Sequence, residues 1–326
     1  MNIEFHADDY GLYLQQSRRI LDCAEHGCLN GVSVMTNGSE MPACMDMLQE
    51  AAKQGKITYP ALTVHLNFYE GKALSEHKKV SLLTNDENIF DISFSKLVIA
   101  SCLPWMYTKY KLQLKEEIRA QIFALRPYVK CFTSDNWTGS SEKAAEAEEM
   151  SADGGKEKIG GEGLRLDGHG HYHMIPVVCD AMAEVIRENN LNVTFIRVPR
   201  EEIGMYFRIR KNLVGFRPIN LVKVLILNTF ARHDRKKHRE LFEKTAAHVF
   251  SGVMFSANMR PENARAILPE LKKLAEQKQC DVEMLFHPGG VEEEEDIRKI
   301  TNENDRIFLT DIGRQLEFQS LHELEA

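Results

Sequence analysis

Along most of the 326 residues, short apolar segments of strand length alternate with longer amphipathic segments of helical spacing. Few folds accept that order, because parallel strands need a crossover between them, usually a helix, and bury both faces of their sheet. After the opening strand NIEF, the segment LYLQQSRRILDCAEHG carries Leu14, Ile20, Leu21 and Ala24 at helical spacing, with Gly27 as its stop. GVSVM is a strand and MPACMDMLQEAAKQG the next helix. ALTVHLNF alternates strictly, with Leu62, Val64 and Leu66 on one face and Thr63, His65 and Asn67 on the other. LKEEIRAQIFALRPYV, VVCDAMAEVIRENN, PENARAILPELKKLAEQ and TDIGRQLEFQSLHELE are predicted helices. GLRLDGHGH, LNVTFIRVP, HVFSGVMFS and VEMLFHPGG are predicted strands, the first running into a loop. The expected architecture is α/β, a barrel of about seven or eight parallel strands. An open doubly wound sheet is the alternative.

One segment departs from this order. Residues 136–163, NWTGSSEKAAEAEEMSADGGKEKIGGEG, are poor in apolar side chains and cannot bury enough surface to offset their ordering entropy. They are expected to form a disordered insertion within a single domain spanning residues 1–326. The strand that follows belongs to the same barrel.

A net charge of −7 leaves no broad basic field for nucleic acid or an anionic membrane. The basic run ARHDRKKHRE, from Ala231 to Glu240, is better explained as a solvated helix end. No apolar run approaches the roughly 20 residues that span a bilayer, and the N-terminus lacks the pattern of a secretory signal. The seven scattered cysteines show no paired zinc-site spacing and are expected to be reduced thiols, which together predicts a cytoplasmic chain. A homodimer is the commonest assembly for such proteins.

Four polar clusters stand where predicted strands end: Asp8-Asp9, His65-Leu66-Asn67, Asp167 through His173, and His287-Pro288-Gly289-Gly290. Each alone has an ordinary explanation. Asp-Asp-x-Gly is loop and cap chemistry, His65 a hydrogen-bonded core histidine, HGHYH a polar loop, and HPGG a turn. Their joint placement is not ordinary, since the carboxyl ends of parallel strands converge on one site. Two adjacent aspartates there repel each other unless a cation or a shared proton intervenes.

Together, HADDYG, HLNFYEG, DGHGHYHMIP and FHPGG resemble, in order, the motifs of the YdjC-like carbohydrate deacetylases, chitooligosaccharide deacetylases among them. The segment Ile196 to Glu201 also resembles a family segment, and the likeness runs from about residue 1 to 320 outside the insertion. The resemblance implies a distorted (β/α) barrel, removal of acetyl groups from N-acetylated sugars, and one divalent ion held by an aspartate and two histidines. Residue by residue, it makes Asp9, His65 and His169 the ligands, Asp8 the general base, and His287 the late histidine facing the reaction centre. The two aspartates could exchange roles. Departures from the family pattern include His6, Tyr10, the FY of HLNFYEG, Gly170 and Tyr172; they spare every proposed ligand but bear on substrate preference.

The chemistry is consistent with such a set. An ion held by one carboxylate and two imidazoles keeps positions open for water and substrate. Asp8 beside it could take a proton, His287 could serve the oxyanion or the departing nitrogen, and Asp167 could orient a ligating histidine. Extended spacing would put His171 and His173 on the same side as His169, lining the pocket or serving as packing. Asn67, Glu70 and Arg197 are further candidates for substrate contact or for support behind the ligands. Tyr10, Phe68, Tyr69 and Tyr172 could stack on a sugar, with core packing the default for each. Mixed nitrogen and oxygen ligands leave the metal open, with Mg or Zn foremost. The implied substrate is a small carbohydrate such as N,N′-diacetylchitobiose. Alternatives are another metal-assisted amide, ester or phosphate hydrolase on the same fold, or a non-catalytic carbohydrate-binding homologue, for which a base would be superfluous.

Overall fold

The structure, a computed structural model, describes residues 1–129, 132, 163–292, 294–300 and 303–324. Seven parallel strands form a single sheet: β1 (Ile3–Tyr10), β2 (Gly31–Val34), β3 (Ala61–Leu66), β4 (Leu164–Gly168), β5 (Val193–Ile196), β6 (His248–Ser251) and β7 (Asp281–Phe286). Their order is β5-β4-β3-β2-β1-β7-β6. The sheet curls into a half-barrel with helices around it. No ladder joins β5 to β6 among the described residues, yet the seam is close. Ala246 N donates to Thr194 O at 2.9 Å, and the rings of Phe195 and His248 lie 4.8 Å apart. The 136–163 insertion lies outside the described residues except for Gly163.

The outward face of the sheet is apolar and packs under the helices. Phe5 and Ala7 on β1, Val32 and Val34 on β2, Leu62, Val64 and Leu66 on β3, and Val282, Met284 and Phe286 on β7 are all buried in one cluster. Each larger side chain so buried contributes about 1.5–3 kcal/mol to stability. Pro104, Pro176, Pro218 and Pro261 each open a helix, at the position where a missing N–H costs nothing.

The inward face is polar. Alternation sends Glu4, His6 and Asp8 of β1 to the barrel axis, where they meet Ser33 of β2, Thr63 and His65 of β3, Arg165 and Asp167 of β4, and Glu283 of β7. Two helices flank the site, Phe94–Cys102, which the sequence pattern did not predict, and Pro218–Lys237, of which it predicted only the basic end. The second is apolar around most of its circumference, with Ile219, Val222, Leu225 and Ile226 exposed, so it lacks a clean periodic stripe. Among the described residues no helix is long and apolar enough to cross a membrane.

HVFSGVMFS is shorter as a strand than expected. β6 stops at Ser251 because the buried Glu201 carboxylate accepts the N–H groups of Gly252, Val253 and Met254 at 2.6–3.3 Å, turning the chain away from the ladder.

Candidate active site

The adjacent aspartates depend on an irregularity in β1. Between Ala7 and Tyr10, β1 advances three residues while its partner β2 advances two, from Val32 to Val34. Asp9 takes up the extra residue with φ +69°, a left-handed conformation that a residue other than glycine rarely adopts. In a regular strand the two carboxylates would face opposite sides of the sheet. Here both reach the mouth of the barrel.

Donor atoms of Asp9, His65 and His169 lie within 4.8 Å of one another. Asp9 Oδ1 is 2.9 Å from His169 Nδ1 and 3.5 Å from His65 Nε2. His65 and Asp167 are cross-strand partners on β3 and β4, and His65 Nδ1 lies 2.7 Å from Asp167 Oδ1. His65 Nε2, though buried, has no hydrogen-bond partner among the described residues, and it faces the two aspartates. A buried ring nitrogen left without a partner beside a carboxylate and a second imidazole is what a cation, in place of a proton, would satisfy. These residues therefore fit a divalent ion.

The electrostatics agree. Burial would lower the His65 imidazole, but the carboxylates of Asp8 and Asp167 outweigh it and push it up to about 10. Burial would raise the Asp9 carboxyl, but His169, His65 and Arg314 hold it well below the usual range. The centre carries excess negative charge and draws positive charge to it.

Asp8 sits beside this set but is held separately. Both its oxygens lie 2.9 Å from Arg197 Nη1, while Asp8 lines a cavity of about 500 Å³ together with Tyr69, His169, His171 and His287. The backbone N–H of His287 donates to the buried Glu317 at 2.5 Å, and its Nδ1 lies 3.6 Å from the same carboxylate.

The remaining candidates divide. Arg197 is fully buried and bonds Asp8, Asp167 and Glu283; it does not line the cavity. Asn67 organises the turn after β3, accepting from the N–H groups of Tyr69 and Glu70 at 2.9 and 3.1 Å. The expectation that His169, His171 and His173 share one side is corrected. The chain coils into a 3-10 turn from His169 to Met174, with Gly170 and His171 at φ +55° and +60°. His169 and His171 line the cavity, whereas His173 turns inward and its Nε2–H donates to Arg197 O at 2.9 Å. Burial pulls the His173 imidazole down to about 4, so it is neutral. Of the four aromatics, Tyr69 lines the cavity and stacks near His169, while Tyr10 and Phe68 are buried in the core.

Arg314 escaped the sequence reading. It is fully buried on the last helix, Ile312–Glu323, donating to Gly289 O at 2.8 Å and reaching Asp9 Oδ2 at 3.3 Å. Its signal was a polar stripe, Arg314, Glu317 and Ser320, at i, i+3 and i+6, all on the buried face.

A curled parallel half-barrel that gathers an aspartate and two histidines at the carboxyl ends of its strands defines an α/β barrel protein with a site able to hold a metal ion. The family model described as YdjC-like protein matches residues 2–128 and 163–326, and the chain belongs to that family. Relatives named carbohydrate deacetylase are 24% identical over 196 residues in Danio rerio and 24% identical over 204 residues in Homo sapiens. These matches cover 60% and 62% of this chain but 48% and 49% of the relatives, so the chain spans about half of their length. A solved protein from Enterococcus faecalis V583, proposed to act in cellobiose-phosphate cleavage, shares the fold at TM-score 0.56 and 11% identity, over 99% of this chain and 92% of that one.

Proposed function

We propose that this chain is a metal-dependent hydrolase that removes the acetyl group from an N-acetylated sugar or short oligosaccharide, such as N,N′-diacetylchitobiose. The observation that carries the reading is the Asp9–His65–His169 set, three donors within 4.8 Å, with a second carboxylate alongside that is not one of them. The names of the Danio rerio and Homo sapiens relatives support the same chemistry.

Asp9, His65 and His169 would hold the ion, and its two imidazoles suit Zn, while the carboxylate also admits Mg. When bound, it supplies Lewis acidity and makes a water molecule easier to deprotonate. Asp8, oriented by Arg197, takes a proton from the attacking water. The oxygen adds to the acetyl carbonyl, the C–N bond breaks, and the amine leaves with a proton. His287, braced by Glu317 at the cavity wall, donates that proton. Tyr69, Phe94 and Phe308 offer flat apolar faces for a sugar ring in a space fit for a mono- or disaccharide.

The test is acetate release from a panel of N-acetylated mono- and disaccharides, with chelator-stripped protein and with added Zn(II) or Mg(II). Metal-dependent release is expected. No release from any member under any ion would rule the reading out.

A further inference from the structure

Polar groups behind the site, buried from His6 through Ser33 and Asp167 to His65 and half-buried at Glu4 and Arg165, connect into one column along the barrel axis. Arg165 Nη2 reaches both oxygens of Glu4 at 2.6 and 2.7 Å. Glu4 Oε1 lies 2.6 Å from His6 Nδ1, and His6 Nε2 lies 2.6 Å from Ser33 Oγ. The Ser33 hydroxyl donates to Asp167 Oδ2, and Asp167 Oδ1 faces His65 Nδ1 at 2.7 Å. Six side chains from four adjacent strands thus form a chain that runs from the amino end of β1 to the open nitrogen of His65.

The direction of each bond follows from counting hydrogens. Ser33 has one, and beside the ionised Asp167 oxygen it must lie on that bond, since two oxygens so close repel without it. Ser33 Oγ therefore accepts from His6 Nε2–H. The arginine-bound Glu4 carboxylate is acceptor only, so it takes His6 Nδ1–H. Every bond so assigned points toward the carboxylate that receives it. Gly31 completes the arrangement, because a Cβ there would run into His6 Nδ1 and Glu4 Oε1. Glu4, His6 and Glu283 also bring donor atoms within 4.8 Å, but His6 Nδ1 already serves Glu4 and offers no lone pair for a second ion.

We propose that Ser33 and His6 are positioning residues that hold Asp167 in place as the acceptor for His65 Nδ1–H, and so fix Nε2 of His65 as the atom presented to the centre. The inference rests on the reading of His65 as a ligand. It adds residues from β1 and β2 behind Asp167. Partners behind a ligating histidine typically change metal affinity by about 10–100-fold when removed.

Ser33→Ala deletes the hydroxyl and Ser33→Thr keeps it. Zn(II) affinity is measured by calorimetry on chelator-stripped protein. The His65 Nδ1–H resonance is followed by NMR on protein with 15N-labelled histidine, with and without Zn(II). The expected result is about a tenfold or greater loss of affinity in Ser33→Ala, with faster solvent exchange of that proton, and wild-type behaviour in Ser33→Thr. His6→Asn, whose amide can donate to Ser33 but not also to Glu4, is expected to fall between them and serves if Ser33→Ala does not fold. Unchanged affinity and exchange in both Ser33→Ala and His6→Asn would overturn the inference, as would equal losses in Ser33→Ala and Ser33→Thr, which would mark packing as the cause. A wild-type protein that binds no Zn(II) counts instead against the proposed function, and the Nδ1–H resonance still decides the role of the column.

Discussion

Arg197 holds Asp8 through a single nitrogen, Nη1, which lies 2.9 Å from each carboxylate oxygen and also 2.7 Å from Asp167 Oδ2. Its Nε bonds Glu283 at 2.6 Å, so one fully buried guanidinium answers three buried carboxylates from β1, β4 and β7. Removing it would leave those charges facing one another in a low-dielectric interior. Arg197→Met is expected to cost about 3–5 kcal/mol, the range for breaking a buried ion pair from one side. Arg197→Lys should recover little, because an ammonium cannot present donors in the same fixed fork. Urea unfolding checks both. A midpoint unchanged in Arg197→Met would show that the network is not held by this residue.

Asp8 and Asp9 differ in their partners, and the difference is testable. Asp8→Asn removes the proposed base but leaves Asp9, His65 and His169 intact. Turnover should fall by about 10²–10⁴-fold, the usual contribution of general base catalysis, while metal content stays at the wild-type level. Arg197 keeps Asp167 and Glu283 as partners, so folding should persist. Loss of bound metal in Asp8→Asn, with metal retained in Asp9→Asn, would mean that the two aspartates exchange roles.

The succession of strands and helices could be read from the sequence because its signals are local, whereas the ligand candidates needed the joint placement of four clusters and the resemblance to a family. β3 alternates strictly, and Asp9, His65 and His169 each stand at or just beyond a strand end. The polar axis could not be read so directly. Glu4-x-His6-x-Asp8 and Arg165-x-Asp167 alternate like strands with one face in water, and only closure of the sheet turns that face inward. Arg314 and Glu317 were hidden for the same reason, since polar stripes on helices usually face solvent. The turn at Gly170 and His171 depends on left-handed backbone conformations, which the HGHYH composition does not specify.

A bound ion would stabilise the fold as well as complete the site. Ligands that bind only the native state add stability according to their concentration over Kd, about 2.7 kcal/mol at a hundredfold excess. Chelation should therefore lower the melting temperature, and Zn(II) should restore it. In Asp9→Ala or His65→Ala the chelator-sensitive part should vanish. A wild-type melting temperature that ignores both chelator and Zn(II) would argue that no ion is held there.

Far from the site, Asp180 supplies a pH dependence of its own. Its Oδ1 lies 2.6 Å from His238 Nε2, and its Oδ2 accepts from Lys237 Nζ at 2.6 Å and from the Tyr107 hydroxyl. The cluster ties together the helices Pro104–Ala124, Pro176–Glu188 and Pro218–Lys237. Burial alone would raise the Asp180 carboxyl, but His238, Lys237 and Tyr107 outweigh it and hold it far below the usual carboxylate range. A carboxyl depressed in the folded state stabilises fully above its unfolded value of about 3.9 and loses that stabilisation as pH falls toward the folded value. Asp180→Asn should therefore be less stable than wild type at pH 7. Below about pH 4 the gap should narrow as the wild-type carboxyl takes up its proton. Urea midpoints for both proteins, measured from neutral to acid pH, trace the difference. A gap that stays constant across that range would mean that the charge on Asp180 contributes nothing to how these helices are held.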